Sequence, residues 1–251
     1  MLMRIIAKID VKPPYVVKPV HFEGLRKVGN PPELSLEYYN QGADEILYID
    51  IVASLYQREI LLDLVEDTAK DIFVPFAVGG GVRSTDDFSK LIHHGADKVV
   101  VNTFALTHPD LIENAAKIFG NQSVVVNIEG KKERPGSWSC YSDCGRICSG
   151  RDVIEWAKEV ESRGAGEIIL QSVDTDGRQR GFDVELIEKV VSSVNIPVIA
   201  ASGAGNLEHI LEVSLQAKPS GIALASILHY RKFTVGDVKK YLSAHDVETI
   251  L

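Results

Sequence analysis

The second half of the chain repeats the pattern of the first half, and this repeat limits the folds open to the sequence. Three pairs of segments recur 122 or 123 positions apart: GADEILYID (42–50) with GAGEIILQS (164–172), VPFAVGGGVRSTDDF (74–88) with IPVIAASGAGNLEHI (196–210), and KVVVNT (98–103) with GIALAS (221–226). Self-similarity at a fixed offset indicates that one supersecondary assembly is present twice.

Each half alternates β-branched runs with amphipathic segments, which predicts alternating strands and helices. The eight predicted strands are residues 4–10, 45–50, 73–80, 98–102, 123–129, 167–173, 196–202 and 221–226. Such alternation favours a parallel sheet with helices outside it. Eight units in 251 residues predict an α/β fold of the (β/α)₈ TIM-barrel type, and a doubly wound open sheet is the competing architecture. We expect one domain over 1–251, made of half-barrels at approximately 1–120 and 121–251.

Composition excludes several classes of function. The formal net charge of −8 argues against a nucleic-acid partner. No apolar run reaches the ~18 residues of a membrane span, and the start MLMRIIAKIDVK lacks the pattern of a signal peptide. We therefore expect a cytoplasmic protein whose three cysteines stay reduced.

Glycine-rich turns follow strands in both halves, at GGGVR (79–83) and ASGAG (201–205), and small polar endings come shortly after them at Asn102-Thr103 and Ala225-Ser226. Backbone amides at such turns bind phosphate well. The alternative is that the glycines only turn the chain. Because the pattern occurs twice, we favour two phosphate sites and a substrate with a phosphate at each end.

Carboxylates also end strands. Asp10 ends the first strand and Glu129 ends the fifth, so the two residues face each other across the mouth of a barrel, where (β/α)₈ enzymes carry out their chemistry. A facing pair of acids suits general acid–base catalysis, while helix capping or salt bridges are the ordinary alternative. Asp50, Asp174 and Asp176 follow the second and sixth strands. The histidines are scattered, so neither a metal nor a cofactor is predicted.

Strand parity predicts a charged layer at the opposite end of the barrel. If Asp10 points inward, Arg4 does too, because side chains alternate along a strand. If Asn102 and Gln171 also point inward, Lys98 and Glu167 do so by the same alternation on their own strands. Glu45 begins the second strand and could join them. Two cations and two anions would then balance within the barrel, whereas a solvent-facing rim of salt bridges is the common alternative.

Together these residues resemble the cyclase subunit of imidazole glycerol phosphate synthase over essentially the whole chain. The segments that carry the resemblance are RIIAKIDVK…VVK (4–18), GADEILYIDI (42–51), AVGGGVRS (77–84), GADKVVVNT (95–103), RGAGEIIL (163–170), SVDTDG (172–177) and IAASGAGNLEH (199–209). The resemblance implies a barrel that pairs, at its N-terminal face, with a glutaminase subunit. Ammonia from glutamine would cross the barrel and react with a ribulose-containing substrate that carries two phosphates.

The family's functional positions transfer to this chain residue by residue. The catalytic pair becomes Asp10 and Glu129, the ammonia gate becomes Arg4, Glu45, Lys98 and Glu167, and Asp97 faces the glutaminase. Substrate and phosphate contacts are expected at Lys18, Asp50, Gly81, Asn102, Thr103, Gln171, Asp176, Gly177, Gly203, Ala225 and Ser226. The expected products are imidazole glycerol phosphate and an aminoimidazole carboxamide ribotide.

Departures from the family pattern cluster at the mouth. The family has Asp where this chain has Glu129, and a small residue, usually Cys, where it has Lys8. Gln171 replaces a smaller Thr, and Ala201-Ser202 replaces Ser-Gly. Two hypotheses follow: a working cyclase, for which Glu129→Asp should raise activity, or an ammonia-channelling paralogue that supports amidation of a surface-polysaccharide sugar with a partner amidotransferase.

The stretch SWSCYSDCGRIC (137–148) contains all three cysteines and follows the family's hairpin after the fifth strand. With Asp143-Cys144-Gly145 at the tip, Cys140 and Cys148 could lie opposite each other. Zinc would need a fourth ligand, and none is near in sequence. A zinc site, a reversible disulfide and ordinary hairpin residues are the three alternatives, of which the last is favoured.

Overall fold

The protein, analysed as a computed structural model that describes residues 2–20, 23–53 and 60–250, contains a closed barrel of eight parallel strands. In chain order the strands are β1 (Arg4–Lys12), β2 (Tyr15–Val20), β3 (Glu23–Gly29), β4 (Glu45–Asp50), β5 (Phe76–Gly79), β6 (Lys98–Val101), β7 (Val124–Arg134), β8 (Ser137–Ser142), β9 (Ile147–Asp152), β10 (Glu167–Ser172), β11 (Val198–Ala201) and β12 (Gly221–Leu224). The barrel order is β1-β4-β5-β6-β7-β10-β11-β12, and β12 pairs with β1 to close it.

Helices follow the barrel strands around the outside. Those that the structure describes are α1 (Pro31–Asn40), α2 (Leu62–Ala69), α3 (Thr85–His93), α4 (Thr103–Thr107), α5 (Asp110–Phe119), α6 (Val153–Ser162), α7 (Val184–Val191), α8 (Leu207–Gln216), α9 (Ser226–His229) and α10 (Val235–Ser243). The predicted (β/α)₈ class is therefore confirmed. The open sheet is excluded because the eight strands form a closed cycle, in which β12 pairs with β1 and β7 pairs with β10. No helix in the described ranges is long and apolar enough to cross a membrane.

Sequence signals account for the helix starts and ends. Asn30, Ser84 and Asn206 each precede a helix and accept a hydrogen bond from a backbone N–H three residues later. These side chains cap the free amides of the first turn. Gly95 follows α3 with φ +106°, a conformation that glycine adopts without steric cost.

The limits of several strands differ from the predicted ones. The predicted strands 73–80 and 196–202 begin too early, because the ladder starts at Phe76 and Val198, directly after Pro75 and Pro197. Proline has no N–H to donate to a ladder. The fifth barrel strand is longer than predicted, because β7 continues beyond the barrel into the antiparallel hairpin β7–β8–β9. The second hairpin, β2–β3 after β1, was not predicted.

Apolar side chains fill two layers. Most of the core lies between the strands and the surrounding helices. A smaller cluster fills the inside of the barrel, with Ile6, Leu47, Ala77, Val100, Val125, Ile169, Ile199, Ala201 and Ala223. Because Ile6 lies between Arg4 and Asp10 with the same parity on β1, this inner cluster separates the charged groups at the two ends of the barrel.

Candidate functional site

Two cavities open where the strands end and the following loops begin. The larger has a volume of about 730 Å³, which is in the range of small-molecule sites. Among the predicted site residues it is lined by Asp50, Gly81, Asn102, Thr103, Glu129 and Gln171. The smaller cavity is lined by Lys18, Asp176, Gly177, Gly203, Ala225 and Ser226. Lys8 lines both cavities, so its side chain lies at the boundary between the two halves of the mouth.

Asp10 is almost fully buried and held by two lysines. Lys8 Nζ donates to Asp10 Oδ1, and Lys18 Nζ donates to Oδ2 at 3.1 Å. Burial alone would raise the pKa of Asp10, but the two ammonium charges outweigh it and place the pKa well below its usual range. Asp10 is therefore ionised at neutral pH. Asp10 itself lines neither cavity, whereas Lys8 lines both and Lys18 lines the smaller one.

Lys18 connects Asp10 to the second half of the barrel. Its Nζ also lies 3.8 Å from Asp176 Oδ1, which accepts a hydrogen bond from Ser202 Oγ at 3.0 Å. Burial works to lower the pKa of Lys18, but Asp10 and Asp176 together raise it above the ordinary value. Lys18 consequently remains a cation at the bottom of the smaller cavity.

Glu129 has a different environment from Asp10. Its Oε1 accepts from Asn102 Nδ2 at 2.8 Å, and its Oε2 accepts from the Gly145 backbone N–H at 2.7 Å. Burial raises the pKa of Glu129 to about 7, against the opposing effects of the Gly145 hydrogen bond and the charge of Lys8. Glu129 can therefore exchange a proton near neutral pH.

The two carboxylates lie on opposite sides of the mouth, because β1 and β7 are four strands apart in an eight-stranded barrel. The environment lowers the pKa of Asp10 and raises that of Glu129. Two acids in one site can take distinct acid and base roles when their pKa values differ in this way. In this arrangement Asp10 is the ionised member of the pair and Glu129 is the member that can carry a proton.

The predicted phosphate residues divide between the two cavities as the repeat implies. Thr103 begins α4 beside the larger cavity, and Ser226 begins α9 beside the smaller one. Gly203 has φ +115°, and a Cβ there would lie 2.2 Å from Gly181 O, so this turn has no room for a side chain. The side-chain amide of Asn102, another predicted contact residue, donates to Glu129.

Two further predicted residues have defined partners. Asp50 Oδ1 accepts from the Val52 backbone N–H at 3.0 Å and so fixes the turn after β4. Gln171 Nε2 donates to Asn127 Oδ1 at 2.9 Å. Asn127 lines the larger cavity and was missed by sequence reasoning, although its position two residues before Glu129 puts both side chains on the same face of the strand.

At the N-terminal end of the barrel, four charged side chains form a closed ring. Glu45 accepts from Arg4 at 3.0 Å and from Lys98 at 2.7 Å, while Glu167 pairs with Lys98 at 2.9 Å and with Arg4. The glutamates are buried and the cations are partly exposed. The inward-facing arrangement predicted from parity is thus present, and the solvent-facing rim is not.

Asp97 lies exposed beside this ring, directly before Lys98. Its carboxylate accepts from the Phe76 backbone N–H at 2.9 Å, which fastens the start of β5 to β6. A separate cavity of about 430 Å³ opens at this end and includes Arg4, Lys98 and Glu167. The N-terminal face therefore has a concave entrance that leads to the ring.

The hairpin after β7 closes one side of the mouth. All three residues at its tip, Asp143, Cys144 and Gly145, have positive φ values. The tip contacts three barrel strands or their loops. These contacts are the hydrogen bonds from Gly145 N to Glu129, from Asp143 N to Thr103 and from Cys144 Sγ to Ile51 O. The role of the Gly145 N–H could not be predicted from the sequence, because a backbone donor leaves no signal in residue type.

The cysteines do not pair as the sequence allowed. Cys148 lies opposite Tyr141 in the β8–β9 ladder, and Cys140 is buried, so the arrangement in which these two cysteines lie opposite each other is not the one observed. All three thiols are free. In the part of the chain that the structure describes, no group of His, Cys, Asp or Glu side chains is arranged to hold a metal ion.

Comparison with known proteins gives consistent matches. The family model described as "Histidine biosynthesis protein" matches residues 4–234. A protein of Thermococcus onnurineus is 47% identical over 240 residues, which cover 96% of this chain and 94% of the relative. A protein of Legionella pneumophila is 51% identical over 82% of this chain and 97% of its own, and one of Streptococcus mutans is 44% identical over 98% of both. Each is named imidazole glycerol phosphate synthase subunit HisF.

Proposed function

The chain belongs to the HisF family of imidazole glycerol phosphate synthase subunits, and from this membership we infer that it catalyses the cyclase reaction of histidine biosynthesis. The enzyme is the cyclase subunit of a complex with a glutaminase subunit. It uses ammonia to convert the diphosphorylated ribulosyl aminoimidazole substrate to imidazole glycerol phosphate and aminoimidazole carboxamide ribotide. Nothing observed favours the alternative acceptor, a surface-polysaccharide sugar.

The observation that carries the residue assignments is the facing pair of carboxylates with separated pKa values. Addition of ammonia to a carbonyl, and the later closure of a ring, require one group that removes a proton and another that supplies one. Asp10 is ionised, so it suits the base once Lys8 or Lys18 releases one of its oxygens. Glu129, with its pKa raised to about 7 by burial, suits the acid.

The two cavities support the binding of a substrate with a phosphate at each end. Gly81 and Thr103 would bind one phosphate in the larger cavity. Gly177, Gly203 and Ser226 would bind the other in the smaller cavity, where Lys18 supplies a buried cation. With both phosphates of the substrate bound, its reacting atoms would lie between Asp10 and Glu129. Binding both ends in this way would orient the reacting atoms relative to the two carboxylates.

For the partner, we propose that the glutaminase docks on the N-terminal face around Asp97. Two features support this placement: the concave entrance that contains Arg4 and Lys98, and the ring of ion pairs directly behind it. Ammonia released there would pass the ring and the apolar interior and reach the mouth without entering bulk solvent.

The test is to supply the purified protein with an ammonium salt and the diphosphorylated ribulosyl substrate, and to measure imidazole glycerol phosphate. Asp10→Asn should lose most of the activity. Asp67→Asn is the matched control, because the Asp67 side chain is 65% exposed on α2. Absence of product with the unmodified protein would overturn the function, and full activity of Asp10→Asn would overturn the role of Asp10.

A further inference from the structure

Three polar side chains lie where the apolar interior of the barrel meets the catalytic carboxylates. They are Lys8, Asn127 and Gln171, which we call the inner polar layer. All three are buried, with exposed fractions of 4%, 4% and 2%, and all three line the larger cavity. Lys8 and Asn127 each precede a catalytic carboxylate by two residues on the same strand, so they lie one step deeper in the barrel. Gln171 is in register with Glu129 on the neighbouring strand and reaches down to Asn127 through its side-chain amide.

One atom of this layer lacks a partner. Gln171 Nε2 donates to Asn127 Oδ1, but Gln171 Oε1 is buried and has no hydrogen-bond partner among the residues that the structure describes. Leaving a buried acceptor unpaired costs about 1–3 kcal/mol. A polar atom kept at that cost inside a functional cavity indicates a ligand that supplies a donor there.

The chemistry of the atom restricts the ligand. Gln171 was expected among the substrate and phosphate contacts. A carbonyl oxygen only accepts hydrogen bonds, and phosphate oxygens are mainly acceptors too, so Gln171 Oε1 does not suit a phosphate. A small donor that arrives through the barrel suits it better. The interior below it is apolar, with Ile6, Val125 and Ile169, and the oxygens of Asp10 are occupied by lysines. Gln171 Oε1 is therefore an available acceptor at the exit of the apolar interior.

Lys8 adds selectivity to this position. Its ammonium group lies at the boundary of the larger cavity and is bonded to Asp10. Because Lys8 already pairs with Asp10, that carboxylate oxygen is not free to pair with an ammonium ion, and burying an unpaired ion is costly. Neutral ammonia, which is the nucleophilic form, does not carry this cost.

We propose that the inner polar layer is a binding site for neutral ammonia, in which Gln171 Oε1 accepts a hydrogen bond from the ammonia molecule and holds it below the acceptor carbon of the substrate. This proposal rests on the proposed cyclase function. It assigns Gln171 to the nitrogen donor and not to a phosphate.

The experiment measures KM for ammonia and KM for the diphosphorylated substrate in the ammonium-dependent reaction. Gln171→Met keeps the length of the side chain and removes the acceptor. KM for ammonia should rise roughly fivefold to tenfold, which corresponds to one lost hydrogen bond, while KM for the diphosphorylated substrate stays within a factor of about two of the unmodified protein. Gln171→Glu retains an acceptor and should have a KM for ammonia closer to that of the unmodified protein.

Ser172→Ala is the matched control. Ser172 Oγ is also buried without a partner in the described ranges, but Ser172 has the opposite parity on β10 and lines neither cavity, so its loss should leave both KM values unchanged. A rise confined to KM for the diphosphorylated substrate in Gln171→Met would overturn the inference in favour of a substrate contact. Unchanged KM values in a folded Gln171→Met would also overturn it. An unmodified protein that forms no product would instead refute the cyclase function.

Discussion

Glu129→Asp tests whether this site is built around the longer carboxylate. The family pattern alone predicts that Asp restores activity. The hydrogen bonds predict the reverse, because both oxygens of Glu129 are already engaged, by Asn102 at 2.8 Å and by the Gly145 N–H at 2.7 Å. Removing one methylene withdraws the carboxyl by about 1.5 Å, and a displacement of that order can cost about 10²-fold in rate.

The assay is steady-state cyclase turnover with an ammonium salt, so that the partner subunit does not enter the measurement. We expect kcat of Glu129→Asp to fall by about 10²-fold, with little change in KM for the diphosphorylated substrate, since the glycine-rich turns are unaltered. Glu129→Gln is the control for chemistry: it keeps the side-chain length and an acceptor for Asn102, but it cannot transfer a proton, and it should lose about 10²–10⁴-fold. An Asp variant as active as the unmodified protein would refute the reasoning.

Three other predictions concern stability, channelling and thiol reactivity. The pKa of Glu129 is raised from 4.5 to about 7, so between these pH values the folded state retains a proton that the unfolded state loses. The free energy of unfolding should therefore fall by at most about 3 kcal/mol as pH rises from 4.5 to about 7. Urea titrations of Glu129→Gln should lack this pH-dependent fall. Lys98→Ala should reduce glutamine-dependent turnover of the complex more than ammonium-dependent turnover, and equal losses would contradict a gate. A thiol reagent should modify Cys148 first, Cys144 more slowly, and Cys140 only on unfolding, because Cys148 is exposed while burial raises the pKa of both other thiols to about 12.

The sequence predicted the features that depend on periodicity. Strand parity was sufficient to place Arg4, Lys98 and Glu167 inside the barrel, because a one-residue shift would reverse the orientation of every side chain on a strand. The repeat predicted that the glycine-rich turns divide into two sets, since equivalent turns of the two halves occupy equivalent places in the barrel.

What could not be predicted depends on contacts between distant segments. The Gly145 N–H reaches Glu129 only because the hairpin tip folds back over the mouth. The register of β8 and β9 sets Cys148 opposite Tyr141, and it includes an irregularity between Ser139 and Tyr141 that sequence spacing does not reveal. Gln171 Nε2 likewise bonds to Asn127 on a neighbouring strand, while Gln171 Oε1 has no partner among the described residues.

The ring at the N-terminal end has a property that an isolated ion pair lacks. Each of its four charges has two opposite neighbours, since both Arg4 and Lys98 contact both Glu45 and Glu167. Any single contact can therefore break while every charge keeps one partner, and no buried carboxylate is left uncompensated, which is the costly state for such groups. For the proposed ammonia gate we therefore expect passage by exchange of ion-pair partners, one contact at a time, without all four contacts breaking together.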